Sequence, residues 1–336
     1  MLKPLISGLV LLTALTGCTT VPQAEISHEA PKPLFRDPVY DGAADVAVVY
    51  DKAEKHWKMF YTNRRASLKP ETQGDVSWVH GTKIGIATST DGLNWTYGGE
   101  ANIPQSCTGE TLWAPEIFTE NGVHHLFITV VPGVFKNWNA PRRIVHLSST
   151  DLKNWACEGQ VDLGSERVID AGVYKIGDTY RMWFKDERQR SPIFAADSKD
   201  LKTWTRHEKP VVEIGAEGPK VFEYNGYYWL IADAWKGLIV LRSKDAQNWE
   251  LQPDRILETP GLYPTDNFKG QHPDIIINDG KAFIYYFVHQ HAAPEVATDP
   301  NWGQRTVIQL GELVYKDGWL TIDRNAPVTT PLKAPQ

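Results

Sequence analysis

The sequence carries no Cys-x-x-Cys pair and no His-x-x-x-His cluster, which removes the common zinc arrangements. No Gly-rich phosphate loop and no Ser-His-Asp nucleophile elbow can be found either. Long charge runs and low-complexity segments are missing. The formal net charge of −6 argues against a nucleic-acid partner. No apolar run is long enough to span a membrane; the longest at the N-terminus, Leu5 to Leu15, fits a secretory core instead. Cysteine is scarce, with three in 336 residues.

One of the three cysteines lies in Leu15-Thr16-Gly17-Cys18, which resembles a bacterial lipobox. The resemblance implies a signal peptide over residues 1–17, cleavage before Cys18 and lipidation of its thiol. A simple signal peptide with a chance cysteine is the alternative. Thr19-Thr20 follow Cys18 directly, with no acidic retention-like signal, so an outer-membrane anchor in a bacterial envelope is the expectation, with residues 18–32 as a tether. Cys107 and Cys157 remain, and an oxidising compartment would permit a bond between them. Their distance is not legible in the sequence.

Tryptophan is what the chain has in abundance: 13 residues. Indole stacks on the C–H faces of sugars, and it is also ordinary core material. Four of the tryptophans end a repeated phrase, Ser-x-Asp-x-x-x-Trp, at Ser89–Trp95, Ser149–Trp155, Ser198–Trp204 and Ser243–Trp249. The spacing suits one four-stranded propeller blade per repeat. The Asp is expected to cap its own turn and the Trp to pack between sheets. A second repeat interleaves with the first. A polar or acidic leader precedes a β-run, a turn and another β-run, with leaders at Asp45, Trp113 to Glu116, Asp170, Glu217 and His272 to Asp274. Three of the turns carry Asn-Gly or Asp-Gly, a hairpin signal. The pattern predicts an all-β, five-bladed β-propeller over residues 33–325 as one domain, with 326–336 as a C-terminal tail. The last blade lacks the box and would take its outer strands from QRTVIQLGELVY and Asp317-Gly318-Trp319-Leu320.

In such a propeller the Ser-x-Asp turns fall on one face and the leaders converge at the axis on the other. Here the leaders resemble those of glycoside hydrolase family 43 and its five-bladed relatives. Gly42-Ala43-Ala44-Asp45 resembles the general base of that family, Val168-Ile169-Asp170 its pKa-modulating Asp, and Glu217-Gly218-Pro219 its general acid. Trp113-Ala114-Pro115-Glu116 and Gly270-Gln271-His272 match leaders of the second and fifth blades. The chain departs from the pattern in placing Val46 after Asp45, so Asp37-Pro38 competes for the base role. The phrase Phe184-Lys185-Asp186-Glu187 and His272-Pro273-Asp274 suggest a divergent or neighbouring family.

Glycoside hydrolysis needs one protonated carboxyl for the leaving oxygen and one carboxylate to activate water or attack carbon. Burial and a neighbouring anion such as Asp170 are expected to raise the Glu217 pKa and keep it protonated near neutral pH. The resemblance implies an inverting mechanism, and the reading is an exo-acting enzyme on plant or algal oligosaccharides. Substrate contacts are expected from Trp113, Glu116, Arg64, Lys185, Trp235 and His272. Asn63, Arg65, Asp186, Asp233, His289 and His291 also end B strands on this face. Arg64 and Lys185 suit sugar hydroxyls or an anionic decoration. No cofactor is required; His272 is placed to orient water or to touch an axial cation such as Ca2+. A monomer is expected. A non-catalytic glycan-binding lipoprotein and a glycan phosphorylase or transferase on a similar propeller are the alternatives.

Overall fold

Both residues of Asn121-Gly122, Asn225-Gly226 and Asp279-Gly280 adopt positive φ, as does the pair Asp317-Gly318. Two consecutive left-handed residues twist a hairpin turn the way its strands twist, which is why the first three dipeptides join the first two strands of a blade and Asp317-Gly318 the last two. The computed structural model describes residues 29–335. Its strands form five four-stranded antiparallel sheets in sequential order. Blade one holds β1 (Ala43–Asp51), β2 (His56–Asn63), β3 (Lys83–Ser89) and β4 (Thr96–Glu100). Blade two holds β5 (Thr111–Glu120), β6 (Val123–Val131), β7 (Arg143–Ser149) and β8 (Ala156–Gln160). Blade three holds β9 (Val168–Ile176), β10 (Thr179–Asp186), β11 (Ile193–Ser198) and β12 (Thr205–Arg206). Blade four holds β13 (Glu217–Tyr224), β14 (Tyr227–Asp233), β15 (Leu238–Ser243) and β16 (Glu250–Leu251). Blade five holds β17 (Gln271–Asn278), β18 (Lys281–His289), β19 (Thr306–Lys316) and β20 (Trp319–Ile322). The innermost strands β1, β5, β9, β13 and β17 pack on one another in that order, and β17 packs on β1.

The Ser-x-Asp boxes cap their own turns. In each, the Asp Oδ1 accepts backbone N–H groups two and three residues on, as Asp91 does from Leu93 and Asn94. The tight turn throws the Trp onto a large ring in the second strand of the preceding blade. Trp95 meets Tyr285, Trp155 meets Phe60, Trp204 meets Phe127 and Trp249 meets Trp183, all edge-on with centroids 6.0 to 6.2 Å apart. Trp319 of blade five closes the series on Trp229 at 6.4 Å. An apolar core fills each of the five blade interfaces.

Two chain ends seal the ring. Phe35 and Gly42 bridge to Ile308 and Thr306 of β19, so the N-terminal segment joins the last blade. The C-terminal tail crosses back to blade one, where Leu332 N–H donates to the Asp91 carbonyl and the Val328 and Leu332 side chains enter the core. Cys107, ahead of blade two, and Cys157 on β8 are disulfide-bonded, with Cα atoms 5.5 Å apart and a sequence separation of 50. Loop-closure entropy makes such a bond worth roughly 4 kcal/mol.

Candidate active site

The five innermost strands share one irregularity. Each carries a β-bulge near its start, and the first bulge residue has positive φ: Asp45 (48°), Ala114 (47°), Asp170 (59°), Gly218 (56°) and His272 (38°). Four of these five are not glycine, a conformation that costs about 1–3 kcal/mol each and clusters at functional sites. The bulge breaks the alternation of the strand, so the residue before it and the bulge residue both reach the mouth of the axis. Ile169, Asp170, Glu217, Gln271, His272, Asp45 and Trp113 therefore line one cavity of about 410 Å³. In blade four the phrase Glu217-Gly218-Pro219 has a physical reason. A Cβ on Gly218 would sit 2.7 Å from the His272 ring, and Pro219 fills a bulge position, where the missing N–H is tolerated.

One layer deeper lies a buried ionic network. Lys220 donates to Glu116 and Asp274, each at 2.7 Å. Glu116 also accepts the N–H of Val173, and Asp274 that of Val48. Blades two, four and five supply the side chains, while three and one supply the amides, so all five meet here. Gly172 of blade three completes the layer, because a Cβ there would stand 1.9 Å from the Pro219 carbonyl oxygen.

The cavity walls are charged in pairs. Arg64 donates to both oxygens of Asp45, at 3.0 and 3.3 Å, and His272 Nδ1 lies 3.3 Å from the same carboxylate. Lys185 Nζ is 2.8 Å from Glu217 and 3.2 Å from Glu187. Arg142 reaches Glu187 at 3.1 Å. Asp170 accepts the Gly218 N–H at 3.1 Å. Burial pushes the Asp170 carboxyl up to about 7; the Glu217 charge adds to this, against His272 and Lys185. Burial and the same Glu217 charge push Asp233 up to about 7. Glu217 itself goes the other way. Burial pushes it up, but the Lys185 ammonium and then His272 outweigh that and hold it below the usual range. The expectation of a raised Glu217 pKa is thereby corrected, because the sequence could not show that Lys185 from β10 lands on it. Asp170 and Asp233, raised to about 7, are the neighbouring carboxyls more ready to hold a proton near neutral pH.

Residues 39–261 match the family model described as "Probable glycosyl hydrolase domain", a family related to glycoside hydrolase family 43. The chain belongs to this family. The family was thus legible in the leaders themselves. The chain is 27% identical over 185 residues to "Probable arabinan endo-1,5-alpha-L-arabinosidase A" of Aspergillus fumigatus, covering 50% of this chain and 57% of that protein. The chain spans about half the length of the curated relatives it matches. Its fold is that of a thermostable family-43 glycoside hydrolase, with TM-score 0.62 and 17% identity over 90% of this chain and 98% of that one. A xylan beta-1,4-xylosidase from Bacillus halodurans C-125 aligns with TM-score 0.64 and 15% identity, over 90% of this chain and 60% of that one.

Within this family-43-related propeller the site residues expected from sequence separate into two groups. Asp45, Asp170, Glu217, Arg64, Lys185, Trp113, Trp235 and His272 all line the cavity. Glu116 does not. It lies in the buried layer with Lys220, since the bulge at Ala114-Pro115 carries it two residues past the mouth. Asp37, the competitor for Asp45, is spent on Tyr61 at 2.5 Å and on the amides of Val39 and Tyr40, away from the cavity. Trp113 is nearly buried and its indole N–H is committed to the Val79 carbonyl, so it forms wall; Trp235 is 39% exposed. Arg65 holds the carbonyls of Ser77 and His80, which fixes the loop bearing Trp78. His289 lines the cavity, donating Nδ1–H to the Gly303 carbonyl, while His291 stacks behind it. Arg64 is paired with Asp45, and Lys185 with Glu217 and Glu187.

Trp78, Trp138, Arg142, Glu187 and Gln271 also line the cavity and were not singled out as site residues. Trp78, Trp138 and Arg142 come from connections between strands, where no periodicity announces them. Glu187 had a signal in Phe184-Lys185-Asp186-Glu187, and Gln271 one in Gly270-Gln271-His272. An axial Ca2+ near His272 meets residues that do not fit it. His272 Nδ1 faces Asp45, and in the next layer the Lys220 ammonium already takes up the carboxylates of Glu116 and Asp274. Among the described residues no three His, Cys, Asp or Glu side chains converge on a cation site.

Proposed function

We propose that this protein is an exo-acting, inverting glycosidase of plant or algal oligosaccharides, with pentose-terminated chains the first class to test. The carrying observation is that bulge-positioned Asp45, Asp170 and Glu217, from three blades, line one cavity. That cavity is compact and lined from all five blades, which suits the end of a sugar chain better than its middle. Arg64 and His272 hold and orient the Asp45 carboxylate, which suits a base that takes a proton from water. Glu217 is the proton donor because its side chain is 23% exposed, against 8% for Asp45. Asp170 and Asp233, buried and raised to about 7, are placed to hold a proton beside it. Exposed Trp235 and Trp138 at the rim suit stacking on sugar faces. The relatives named as endo-acting arabinosidases and as a xylosidase support a pentose, and the compact cavity supports attack at chain ends.

Purified protein is expected to release monosaccharide from arabino- or xylo-oligosaccharides, with the inverted anomer appearing first by proton NMR. A ladder of internal fragments at early times would overturn the exo reading. The retained anomer would overturn the inverting one.

Cys18 lies outside the described residues, and its lipidation at the outer membrane stands as part of this proposal on the lipobox resemblance. The Cys18→Ser protein is expected in the soluble fraction with unchanged turnover, because every residue proposed for catalysis lies in the propeller. Its recovery with the membranes would remove the anchor.

A further inference from the structure

The phrase Phe184-Lys185-Asp186-Glu187, which sets this chain apart from the family pattern, builds a device on the proton donor. Asp186 anchors it. Its carboxylate accepts the Arg188 N–H at the start of the 3-10 helix Glu187–Gln189, and pairs with Arg188 at 3.0 Å and Arg206 at 2.8 Å. That fixes Glu187, which accepts from Arg142 at 3.1 Å and Arg167 at 3.4 Å. Between Glu187 and Glu217 stands one ammonium, Lys185, at 3.2 and 2.8 Å. Its side chain is only 6% exposed, and the Trp235 ring lies 5.1 Å away. Water therefore contributes little to its solvation, and the two carboxylates divide it between them.

We propose that Lys185 is a positioning residue that governs when Glu217 can carry a proton, and that Glu187 governs Lys185 by competing for the same ammonium. This rests on Glu217 being the proton donor. Other charges face Glu217 as well: Asp170 from β9, Asp233 from β14, His272 from the bulge of β17, and Arg142 before β7. Lys185 is the charged group in direct hydrogen-bond contact with it. Any movement of the ammonium toward Glu187, as when a sugar hydroxyl enters beside Trp235, frees Glu217 to take the proton held by its neighbours. No group is consumed; one proton changes carboxyl and one hydrogen bond changes partner.

The test reads pH profiles of kcat/KM on an oligosaccharide and on an activated aryl glycoside, in full-length protein. The limb that appears only with the oligosaccharide titrates the donor. Lys185→Met removes the attracting cation, so that limb should move up by about one pH unit or more. Glu187→Gln leaves the ammonium to Glu217 and strips Arg142 and Arg167 of their counter-charge, so the limb should move down. Opposite shifts in two folded variants are the result expected. Shifts of the same sign, or an unmoved limb at an unchanged melting temperature, would overturn the proposal. If Lys185→Met does not fold, the near-isosteric Glu187→Gln decides alone by moving the limb or leaving it. Failure of the donor assignment itself is separable, because the limb would then persist in Glu217→Gln.

Discussion

Glu217→Gln is expected to slow hydrolysis of natural oligosaccharides by roughly 10²–10⁴-fold, the usual worth of general acid–base assistance. The amide keeps the size of the side chain and can still accept from Lys185, so the bulge and the ion pair between Lys185 and Glu187 should persist. What it cannot do is donate a carboxyl proton to a leaving oxygen. An activated aryl glycoside, whose leaving group barely needs that proton, should lose far less. Asp45→Asn should instead slow both substrates by a similar factor, since water must be activated whatever departs. It also breaks the charge pair with Arg64, so its melting temperature must be measured alongside. Natural substrate turned over at the parental rate by folded Glu217→Gln would reduce Glu217 to a turn residue, and the glycosidase reading would stand on family membership alone.

The second large effect concerns stability. Lys220→Met is expected to cost about 3–5 kcal/mol, because removing one member of a buried ionic network strands the others. Two carboxylates would remain at the axis, with only the Val173 and Val48 amides and no counter-charge. Burial already holds Glu116 above its ordinary value in the parent, against the pull of Lys220. Without the ammonium it rises further. A carboxyl raised in the folded state favours folding at low pH and loses that advantage as pH rises through its folded value. The deficit of Lys220→Met should therefore be largest at neutral pH and shrink at mildly acidic pH, as Glu116 takes up a proton. Denaturant titrations of both proteins at the two pH values read this directly. A parental midpoint at neutral pH would show that the layer does not hold the blades together.

Much of the architecture was open to reading along the chain. Asn121-Gly122 and its counterparts dictate hairpins through two left-handed residues. Ser-x-Asp-x-x-x-Trp dictates a capped turn that throws out a large ring. Both are local, so a phrase of a few residues contains their whole cause. Even the fifth blade, which lacks the box, showed itself in Asp317-Gly318-Trp319, and Trp319 sits on Trp229 where the others predict. The bond between Cys107 and Cys157 was not local in this sense. It needed the connection into blade two to pass beside β8.

The site divides along the same line. That Asp45, Asp170 and Glu217 open β-runs in three repeats is a property of the sequence, and convergence follows from the propeller. Glu116 shows where such reasoning stops. It occupies a leader just as Glu217 does, yet the bulge lies before it and not after it, and that shift of register changes the layer in which a side chain ends. The protonation of Glu217 is likewise a tertiary matter. Burial alone would raise its pKa, and the opposite outcome is set by Lys185 and then His272, which arrive on β10 and at the bulge of β17. Sequence by itself determined the five blades, the face on which the leaders meet and the family, because turns and strand periodicity act over a few residues. Only the tertiary structure decided which carboxylate faces the cavity, which one holds the axis together and which cation each one meets, because charges act through space between strands that the chain keeps dozens of residues apart.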